Sequence, residues 1–328
     1  MTNTHFQKFY ERELKTIDNK LLRLFNNKLP ISLYEPCSYL ICTRGKRLRP
    51  LLVILSASAV GADYKTVYNA AIAVELFHNF TLVHDDIMDN SNKRRGKATV
   101  HVKYDLSTAI LTGDILIALA YKSLLHDCNR KCKEVINKFT QGIIEVCEGQ
   151  SLDKDFETKK KVSIHDYKVM IQKKTASLVE MCCSLGAQLG GGNEIEINSL
   201  SNYGRNLGMA FQIQDDMLDI IGDENKFGKK VGSDLIEGKK TYLFLRAMEK
   251  AEETDTEILY NVIRNKGIKS TEVNKYRKLY FKLDIFLDAK KEIERYSQNA
   301  IKALDDIRDC EAKNMLIWLV GILINRKK

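Results

Sequence analysis

Two aspartate clusters of the same pattern are the residues best suited to chemistry in this chain of 328 residues. They read Asp85-Asp86-Ile87-Met88-Asp89 and Asp215-Asp216-Met217-Leu218-Asp219. On a helix the first and last aspartates of a cluster share a face, where like charges cost about 0.2–0.5 kcal/mol per pair. Carboxylate oxygens so arranged suit Mg²⁺, which commonly bridges to substrate phosphates. A solvated acidic helix end is the alternative for either cluster alone, and the repetition argues against it.

The basic residues that stand out lie beside a glycine, a threonine or another cation. They occur in the stretches Gly45-Lys46-Arg47-Leu48-Arg49-Pro50, Arg94-Arg95-Gly96, Lys174-Thr175, Gly228-Lys229 and Gly238-Lys239. Guanidinium and ammonium groups bind phosphate oxygens through charge-assisted hydrogen bonds. Each stretch alone is weak evidence, but together they predict phosphorylated substrates.

Helices are predicted to position both clusters. All three prolines lie at or before Pro50, so the rest of the chain is free to be helical. Apolar residues recur with the helical period, and each cluster ends a strongly apolar run. The predicted helices lie near residues 4–27, 33–43, 50–60, 65–90, 98–124, 131–156, 163–190, 196–221, 239–252, 256–266, 270–283, 285–306 and 310–325. Because the sequence has no Pro/Gly/Ser linker, we predict an all-α fold in a single domain over residues 1–328.

The charge balance narrows the class of partner. The chain has 52 Lys and Arg against 43 Asp and Glu, a formal net charge of +9. Such a charge suits nucleic acid, an anionic membrane surface or a highly charged small substrate. A nucleic-acid-binding protein should show a recognised module or basic residues interleaved with aromatics on one face, and the sequence has neither. We therefore expect a phosphorylated small molecule and no nucleic acid.

Cysteine usage and hydropathy predict a cytoplasmic protein without a transmembrane segment. The eight cysteines have no framework spacing, and Cys182 and Cys183 are adjacent, which is unfavourable for a structural disulfide. The N-terminal residues are charged and amphipathic, unlike a signal peptide. No run reaches the roughly 18 uncharged apolar residues of a membrane span, and the nearest, Met315 to Ile324, is shorter.

Seven motifs occur in a fixed order along the chain: GKRLRP, LVHDDIMDNSNKRRGKATVH, LTGDIL, EGQSLD, QKKTASL, GMAFQIQDDMLDIIGD and GKKVGSDLIEGKKTY. With them the chain resembles the trans-isoprenyl diphosphate synthases, or polyprenyl synthetases, from about Tyr10 to the C-terminus. The similarity is greatest to archaeal short-chain geranylgeranyl and farnesyl diphosphate synthases. The resemblance implies a single-domain helical barrel around a deep central cavity, usually assembled as a homodimer.

The resemblance also implies a role for each matching residue. The implied metal ligands, for about three Mg²⁺ ions, are Asp85, Asp86, Asp89, Asp215 and Asp219, with Asp216 in support. The allylic diphosphate would be held by Arg94, Lys174, Thr175, Lys229 and Lys239, beside Gln150, Asp153 and Gln212. Isopentenyl diphosphate would be bound by Lys46, Arg49, His78 and Arg95. The implied catalytic set consists of Lys174 and five of the aspartates, Asp85, Asp86, Asp89, Asp215 and Asp216. The terminal Arg326-Lys327-Lys328 resembles a basic tail that helps to close the site, although a solvated chain end is the alternative.

The implied reaction is a Mg²⁺-dependent head-to-tail condensation of isopentenyl diphosphate with dimethylallyl, geranyl or farnesyl diphosphate, a step of isoprenoid and lipid biosynthesis. Ionisation of the allylic C–O bond places negative charge on the leaving diphosphate, which metal ions and fixed cations stabilise. The alkene of isopentenyl diphosphate then attacks the allylic cation, and the released diphosphate takes the proton. Apolar helices around the clusters would exclude water, which would quench the cation.

The helix that carries Asp85 is predicted to set the product length. At the helical rise, Phe80 lies about 7.5 Å and Phe77 about 12 Å before Asp85. The resemblance implies that a large residue at Phe80 with a small one at Thr81 forms the floor for a C20 product, geranylgeranyl diphosphate. Phe77 could stop the chain sooner and give C15, farnesyl diphosphate. Core packing is the alternative for either ring.

Three other functions fit parts of the pattern. A class I terpene cyclase shares the first cluster, but it normally replaces the second with an Asn/Ser/Glu metal motif and lacks a basic site like that of Lys46 and Arg49. A non-catalytic partner subunit of a prenyltransferase would typically have lost a cluster, and both are intact here. A basic nucleic-acid or membrane-surface protein predicts no Mg²⁺-dependent turnover and strongly salt-dependent polyanion binding.

Overall fold

A computed structural model of the chain describes residues 3–43, 45–128, 132–222 and 231–324. Of the residues singled out from the sequence, Lys229 and Arg326-Lys327-Lys328 lie outside these ranges.

The described residues are almost entirely helical, which confirms the prediction of an all-α fold. The helices are α1 (Asn3–Arg23), α2 (Ile31–Ile41), α3 (Leu48–Ala59), α4 (Tyr68–Met88), α5 (Val100–Lys103), α6 (Leu106–Asp127), α7 (Cys132–Thr158), α8 (Ile164–Ile171), α9 (Ser177–Leu189), α10 (Glu194–Ile221), α11 (Ser233–Ile236), α12 (Tyr242–Lys250), α13 (Glu253–Arg264), α14 (Val273–Lys282), α15 (Ile285–Lys302) and α16 (Glu311–Ile324). Short 3₁₀ turns span Tyr64–Val67 and Ser270–Glu272, and a π-helical turn spans Gln172–Ala176. A two-stranded sheet consists of β1 (Lys93–Arg94) and β2 (Lys97–Ala98).

The prediction of one helix over 98–124 was wrong at both its start and its middle. Residues up to Ala98 belong to the hairpin, in which Lys93 pairs with Ala98. Its two turn residues, Arg95 and Gly96, have φ of 51° and 77°, the left-handed values that a tight two-residue hairpin needs. Farther along, the Asp105 side chain accepts a hydrogen bond from the Thr108 amide at 2.8 Å. This N-cap starts α6 and separates it from the short α5.

Contacts divide the chain into two compact units. The first unit comprises Met1–Lys138, Cys182–Asn198 and Ile307–Leu316, and the second comprises Phe139–Met181, Ser199–Asp306 and Ile317–Lys328. The single domain predicted over residues 1–328 stays a prediction.

In the first unit α4 packs along α6 and against α3. Seven of the residues from Ala70 to Phe77 on α4 are at most 4% exposed and apolar, and the eighth, Glu75, is a buried carboxylate. Helix α4 carries the first aspartate cluster at its end, so this apolar packing fixes the position of the cluster.

The second unit has one extended apolar core. It is formed chiefly by α8, α10, α12, α14 and α15, with fully buried side chains such as Ile213, Leu243 and Tyr280. The end of α10, which carries the second aspartate cluster, contributes Met217 and Ile220 to this core. Burial of the apolar residues between the aspartates therefore orients the cluster itself.

Helix α6 is long and apolar enough to cross a membrane by length and composition alone. The sequence prediction missed it because it required an uncharged run, and Asp114 and Lys122 interrupt this helix. Only 39% of its most apolar window is buried. Its exposed large apolar residues are Leu106, Ile110, Leu111 and Leu125. A core helix of a folded protein passes the same test, so the observation does not assign α6 to a membrane.

Candidate active site

The three aspartates of the first cluster have different surroundings. Asp86 is only 3% exposed and accepts hydrogen bonds from Arg94 Nε to both carboxylate oxygens at 2.9 Å. Asp85 is half-buried and Asp89, at the C-cap of α4, is exposed. The hairpin that follows α4 therefore anchors the middle aspartate, and the outer two are the members that reach towards solvent. Arg94, predicted to bind the allylic diphosphate, is held by Asp86 in this structure.

Arg49 and His78, predicted to bind isopentenyl diphosphate, lie side by side. Arg49 Nη1 is 3.2 Å from His78 Nε2. Burial, and after it the charge of Arg49, hold the pKa of His78 well below its ordinary value. The ring is therefore neutral at pH 7, and its Nε2 can accept the hydrogen bond of the guanidinium. His78 lies seven residues before Asp85 on α4, so the basic pair and the first cluster share one helix.

Lys46 and Arg95 flank the turn that precedes α3. Arg95 Nη1 donates to the Thr43 carbonyl at 3.1 Å, and Tyr10 donates to the Lys46 carbonyl at 2.6 Å. A Cβ at Gly45 would lie 2.8 Å from Arg95 Nη1, so glycine is needed for the guanidinium to rest on this turn. The structure thus brings these two predicted ligands to the same short segment.

The predicted floor residues stack along α4. Phe77 is fully buried, whereas Phe80 is partly exposed, and their rings are nearly parallel with centroids 5.8 Å apart. Thr81 Oγ1 donates back to the His78 carbonyl at 2.8 Å, so it is occupied within the helix. Phe80 also contacts His84, with centroids 4.5 Å apart. The packing makes Phe77 a core residue and leaves Phe80 as the ring with an accessible face.

In the second unit Asp216 is buried within a set of hydrogen-bond donors. It is 4% exposed, and its Oδ2 accepts from the Tyr167 hydroxyl at 2.6 Å and the Tyr242 amide at 3.1 Å. Its Oδ1 accepts from Gln212 Nε2 at 3.0 Å. Burial raises the pKa of Asp216 to about 6, although these hydrogen bonds act in the opposite direction. As in the first cluster, the middle aspartate is the most buried of the three.

Asp219 links the second cluster to the next helix. Its carboxylate accepts from Ser233 Oγ at 2.5 Å and from the Asp234 amide at 3.1 Å, at the start of α11. Asp215 is half-buried on the same face of α10. Within the residues that the structure describes, no three His, Cys, Asp or Glu side chains converge as a complete metal site. The accessible carboxylates of both clusters are nevertheless hard oxygen donors, which fit a Mg²⁺ ion that takes its remaining ligands from water and phosphate.

A cavity of about 120 Å³ lies beside the second cluster. Predicted residues lining it are Asp153, Lys174, Thr175, Gln212, Asp216 and Lys239. Residues that the sequence interpretation did not select are Tyr167, Met170, Ile171, Asp234, Lys240 and Thr241. Tyr167 precedes Lys174 by seven residues, a helical spacing that would have placed both on one face. Of the adjacent lysines 239 and 240, the sequence interpretation selected only Lys239.

Lys174 and Thr175 project from a π-helical turn, a rare feature that is frequent at functional sites. Lys174 Nζ is 2.6 Å from Asp153 Oδ2, and Thr175 Oγ1 donates to Gln212 Oε1 at 2.9 Å. Helix α7 approaches this turn so closely that a Cβ at Gly149 would lie 2.1 Å from the Lys174 amide nitrogen. A side chain at position 149 is therefore incompatible with the turn that presents Lys174.

Gly149→Ala is expected to lower the unfolding free energy by about 3 kcal/mol, because the clash is with backbone that cannot rotate away. Turnover by the folded fraction should fall as well, since relief of the clash displaces Lys174. Urea unfolding and steady-state rates measure the two effects. The matched control is Gly321→Ala, a helical glycine whose added Cβ would meet nothing within 4 Å. Equal behaviour of the two variants would contradict the prediction.

The buried Asp216 predicts a pH effect on metal-free protein. Its folded pKa, about 6, lies above the ordinary value of 3.8, so the carboxyl stabilises the fold while it is protonated. That contribution is lost as pH rises from about 4 to 6, by at most about 3 kcal/mol. Asp216→Asn should remove it. Urea unfolding of both proteins in EDTA at pH 4, 5, 6 and 7 gives the difference curve, and parallel curves would contradict the assignment.

Comparisons with known proteins agree over nearly the whole chain. The family model described as polyprenyl synthetase matches residues 30–280. The geranylgeranyl diphosphate synthase of Methanosarcina mazei is 41% identical over 304 residues, which cover 91% of each chain. The crystal structure of geranylgeranyl pyrophosphate synthetase from Pyrococcus horikoshii Ot3 matches with a TM-score of 0.89 and 37% identity over 98% of both chains. That of a polyprenyl synthase from Caulobacter crescentus CB15, complexed with calcium and isoprenyl diphosphate, matches with a TM-score of 0.91 and 27% identity, covering 100% of this chain and 98% of that chain.

Proposed function

The chain belongs to the polyprenyl synthetase family, and from that premise we propose that it is a prenyltransferase that condenses isopentenyl diphosphate with allylic diphosphates to give geranylgeranyl diphosphate. The observation that carries this proposal is the cavity beside the second aspartate cluster. Three lysines, two threonines and an amide line this space beside three aspartates, and they supply the cations and donors that an oxyanion with several acceptor oxygens requires. The relative from Methanosarcina mazei, named for the same product, supports the C20 chain length.

We assign the allylic diphosphate to this cavity. Lys174 and Lys239 would supply positive charge, and the Thr175 hydroxyl would donate a hydrogen bond to the substrate in place of the one that it donates to Gln212. Lys174 is paired with Asp153 in this structure, so the substrate must exchange that partner for its own oxygens. Such an exchange favours a dianionic or trianionic ligand, because a weakly charged one would not displace a carboxylate at 2.6 Å.

We assign isopentenyl diphosphate to the basic group of the first unit. Arg49 and Arg95 would bind its oxygens with Lys46, while neutral His78 holds Arg49 in place. A neutral imidazole adds no charge repulsion between these cations, so they can lie close together. The alkene would be fixed by its own diphosphate, independently of the allylic substrate.

Mg²⁺, about three ions in the family pattern, would be held by Asp85, Asp86, Asp89, Asp215 and Asp219 and would neutralise charge on the leaving diphosphate. The structure qualifies two of these ligands. Asp86 is bound by Arg94, and Asp219 is bound by Ser233 and the Asp234 amide. Asp89 is exposed and Asp85 and Asp215 are partly exposed, so we expect these three to contribute most to metal affinity, and the buried Asp216 to orient its neighbour. The calcium and isoprenyl diphosphate in the Caulobacter crescentus structure support a cation and diphosphate site in such a fold.

The chemistry follows from these positions. Cations around the allylic diphosphate stabilise the charge that develops as its C–O bond breaks. The alkene of isopentenyl diphosphate, held by its own site, adds to the allylic carbon, and the proton lost from the product passes to the released diphosphate. The apolar packing beneath both clusters limits the access of water to the cation.

The deciding experiment supplies purified protein with isopentenyl diphosphate, Mg²⁺ and, separately, dimethylallyl, geranyl and farnesyl diphosphate. Chromatography of the dephosphorylated products should show C20 from all three starters. A product that stops at C15 in excess isopentenyl diphosphate would instead identify a farnesyl diphosphate synthase. Absence of elongation in Mg²⁺-replete protein would favour a non-catalytic partner subunit.

We further propose that the protein is a homodimer formed through the exposed face of α6. That face carries Leu111, Ala118 and Leu125, interrupted by Asp114 and Lys122. Opposite charges eight residues apart within an apolar stripe are self-complementary when two copies of a helix pack antiparallel across a two-fold axis. A lipid-facing stripe would have to bury both charges in hydrocarbon at several kcal/mol.

The free thiols of all eight cysteines are consistent with a reducing cytoplasm, which we propose as the compartment.

Leu111→Glu is expected to convert the dimer to a monomer, because antiparallel packing that pairs Asp114 with Lys122 would bury each introduced charge against the apolar Leu125 of the partner subunit. Light scattering after size-exclusion chromatography reports the mass. Leu287→Glu serves as the control, since Leu287 is also an exposed leucine, 49% exposed, and belongs to α15 of the second unit. A dimer that survives Leu111→Glu, or dissociates equally with Leu287→Glu, would exclude α6 as the interface.

A further inference from the structure

Arg47 lies between Lys46 and Arg49, yet its environment is unlike theirs. Its side chain is 2% exposed, whereas Lys46 is exposed and Arg49 half-buried. A guanidinium removed from water to this extent needs hydrogen-bonded partners for its charge. The proposed function gives Arg47 no substrate to bind, so its conformation and contacts call for another role.

Three donors of Arg47 reach three separate elements. Nε donates to Asp18 of α1 at 2.8 Å, and Nη1 donates to Glu75 of α4 at 2.6 Å. Nη2 donates to the carbonyl of Ile41, the last residue of α2, at 2.8 Å. Asn79 Nδ2 donates to the Glu75 backbone carbonyl at 2.7 Å and also to Glu75 Oε1, the oxygen that Arg47 binds, at 3.3 Å. The planar guanidinium thus connects α1, the end of α2 and α4 through charge-assisted hydrogen bonds.

The backbone at Arg47 explains why these contacts matter to its neighbours. Arg47 is the N-cap of α3 with φ of 45° and ψ of 36°, a left-handed conformation that is uncommon for a residue with a side chain. This conformation turns the chain between Lys46 and the first turn of α3, which carries Arg49. A strained residue persists only where its surroundings determine it, and here the buried ion pairs do so.

A second link joins the same segment to α4. Glu75 precedes His78 by three residues, close to one helical turn, and His78 contacts Arg49. The segment is therefore attached to α4 at two successive levels, through Arg47 to Glu75 and through Arg49 to His78. Two attachments fix the orientation of the segment as well as its position.

We propose that Arg47 is a positioning residue for isopentenyl diphosphate. Its buried ion pairs with Asp18 and Glu75 hold the left-handed turn, and the turn sets the spacing between Lys46 and Arg49. Loss of the pairs would let that spacing vary, so the diphosphate would lose contacts that it makes with both cations at once. This inference rests on the proposed assignment of isopentenyl diphosphate to the first unit.

The test uses Arg47→Lys in the full-length protein. Lysine keeps the positive charge, but its single nitrogen cannot reproduce the three contacts that the planar guanidinium directs to separate elements. Titration calorimetry with isopentenyl diphosphate alone should show about a tenfold or greater weakening, in line with the loss of charge-assisted contacts. In turnover assays the KM for isopentenyl diphosphate should rise similarly. The KM for farnesyl diphosphate, and kcat at saturating isopentenyl diphosphate, should change less than about threefold.

Arg205→Lys is the matched control, because Arg205 makes a two-pronged ion pair with Glu180 and both residues belong to the second unit. It should leave both KM values unchanged. If Arg47→Lys does not fold, Asp18→Asn and Asn79→Ala decide the question. Asp18 is 30% exposed, and each of these variants removes one link only, with a smaller change of the same KM.

Unchanged affinity for isopentenyl diphosphate in folded variants would overturn the inference. So would an equal rise of both KM values, which a general structural role predicts. The calorimetric result does not depend on catalysis. Wild-type protein that binds isopentenyl diphosphate but does not elongate it would therefore refute the proposed function without refuting the role of Arg47.

Discussion

Asp215→Ala and Asp216→Ala are expected to abolish turnover equally and to differ in stability. Each should lower kcat by about a thousandfold or more, the scale on which loss of a major electrostatic contributor acts. Only Asp216→Ala should also lower the unfolding free energy, by about 2 kcal/mol at pH 7. The two residues are adjacent and identical in type, so the contrast isolates what their surroundings contribute.

The stability difference follows from the donors around Asp216. Truncation at this position leaves the Tyr167 hydroxyl, the Tyr242 amide and Gln212 without their acceptor, in a site that is 4% exposed. An unsatisfied buried donor costs about 1–3 kcal/mol, offset in part because the variant no longer buries a charge. Asp215 is half-buried, and its loss should alter the fold little.

Urea unfolding in EDTA and steady-state rates with Mg²⁺ provide the two measurements. The same contrast in stability should appear between Asp85→Ala and Asp86→Ala. Arg94 donates to Asp86 in the first cluster as Tyr167 donates to Asp216 in the second. Substantial kcat in Asp215→Ala would remove this aspartate from the metal set. Equal loss of stability in both variants would contradict the division between anchored and accessible members.

That division could not be derived from the sequence, although the clusters could. The pattern of two aspartates, two apolar residues and an aspartate is local, and the helical period places its outer members together. The partners of the middle members come from elsewhere: Arg94 from a hairpin, Tyr167 from α8 and the Tyr242 amide from the start of α12. Long-range contacts of this kind leave no periodic signal.

Some local sequence patterns indicate the observed structure, but the sequence analysis did not use them. Asp105 followed by Thr108 is an N-cap signal that would have separated α5 from α6. The glycine of the Arg95-Gly96 turn, at a position of positive φ, is typical of a hairpin turn. The strands on either side have only two residues each, which is too short to predict. The π-helical turn at Gln172–Ala176 has no counterpart in an apolar pattern, because one extra residue in a turn hardly changes the helical period.

The recognised family and the all-α fold were predicted correctly for a physical reason. A prenyl diphosphate synthase must concentrate carboxylates and cations against apolar helices, and such costly arrangements are rare in sequences that have no use for them. Roles that depend on how a side chain is buried, such as that of Arg47, need the structure. In the sequence Arg47 is one of three basic residues within a stretch of four.

Phe80→Ala is expected to lengthen the main product from C20 to C25 or beyond. Phe80 is the partly exposed ring on the face of α4 below Asp85, so its removal deepens the space available to the growing chain. The next obstacle is Phe77, about 4.5 Å lower along the helix and roughly one isoprene unit away. The double variant should therefore lengthen the product further than Phe80→Ala does.

Phe77→Ala provides the contrast. Phe77 is fully buried under Phe80, with ring centroids 5.8 Å apart, so its truncation creates a cavity that the intact Phe80 still covers. We expect the main product to stay at C20 and the unfolding free energy to fall by about 3–5 kcal/mol. Product chromatography from farnesyl diphosphate with excess isopentenyl diphosphate separates these outcomes. Only the ring that meets the end of the growing chain can set the product length. An unchanged product in Phe80→Ala would therefore show that Phe80 is not the floor. A longer product in Phe77→Ala alone would assign the floor to Phe77.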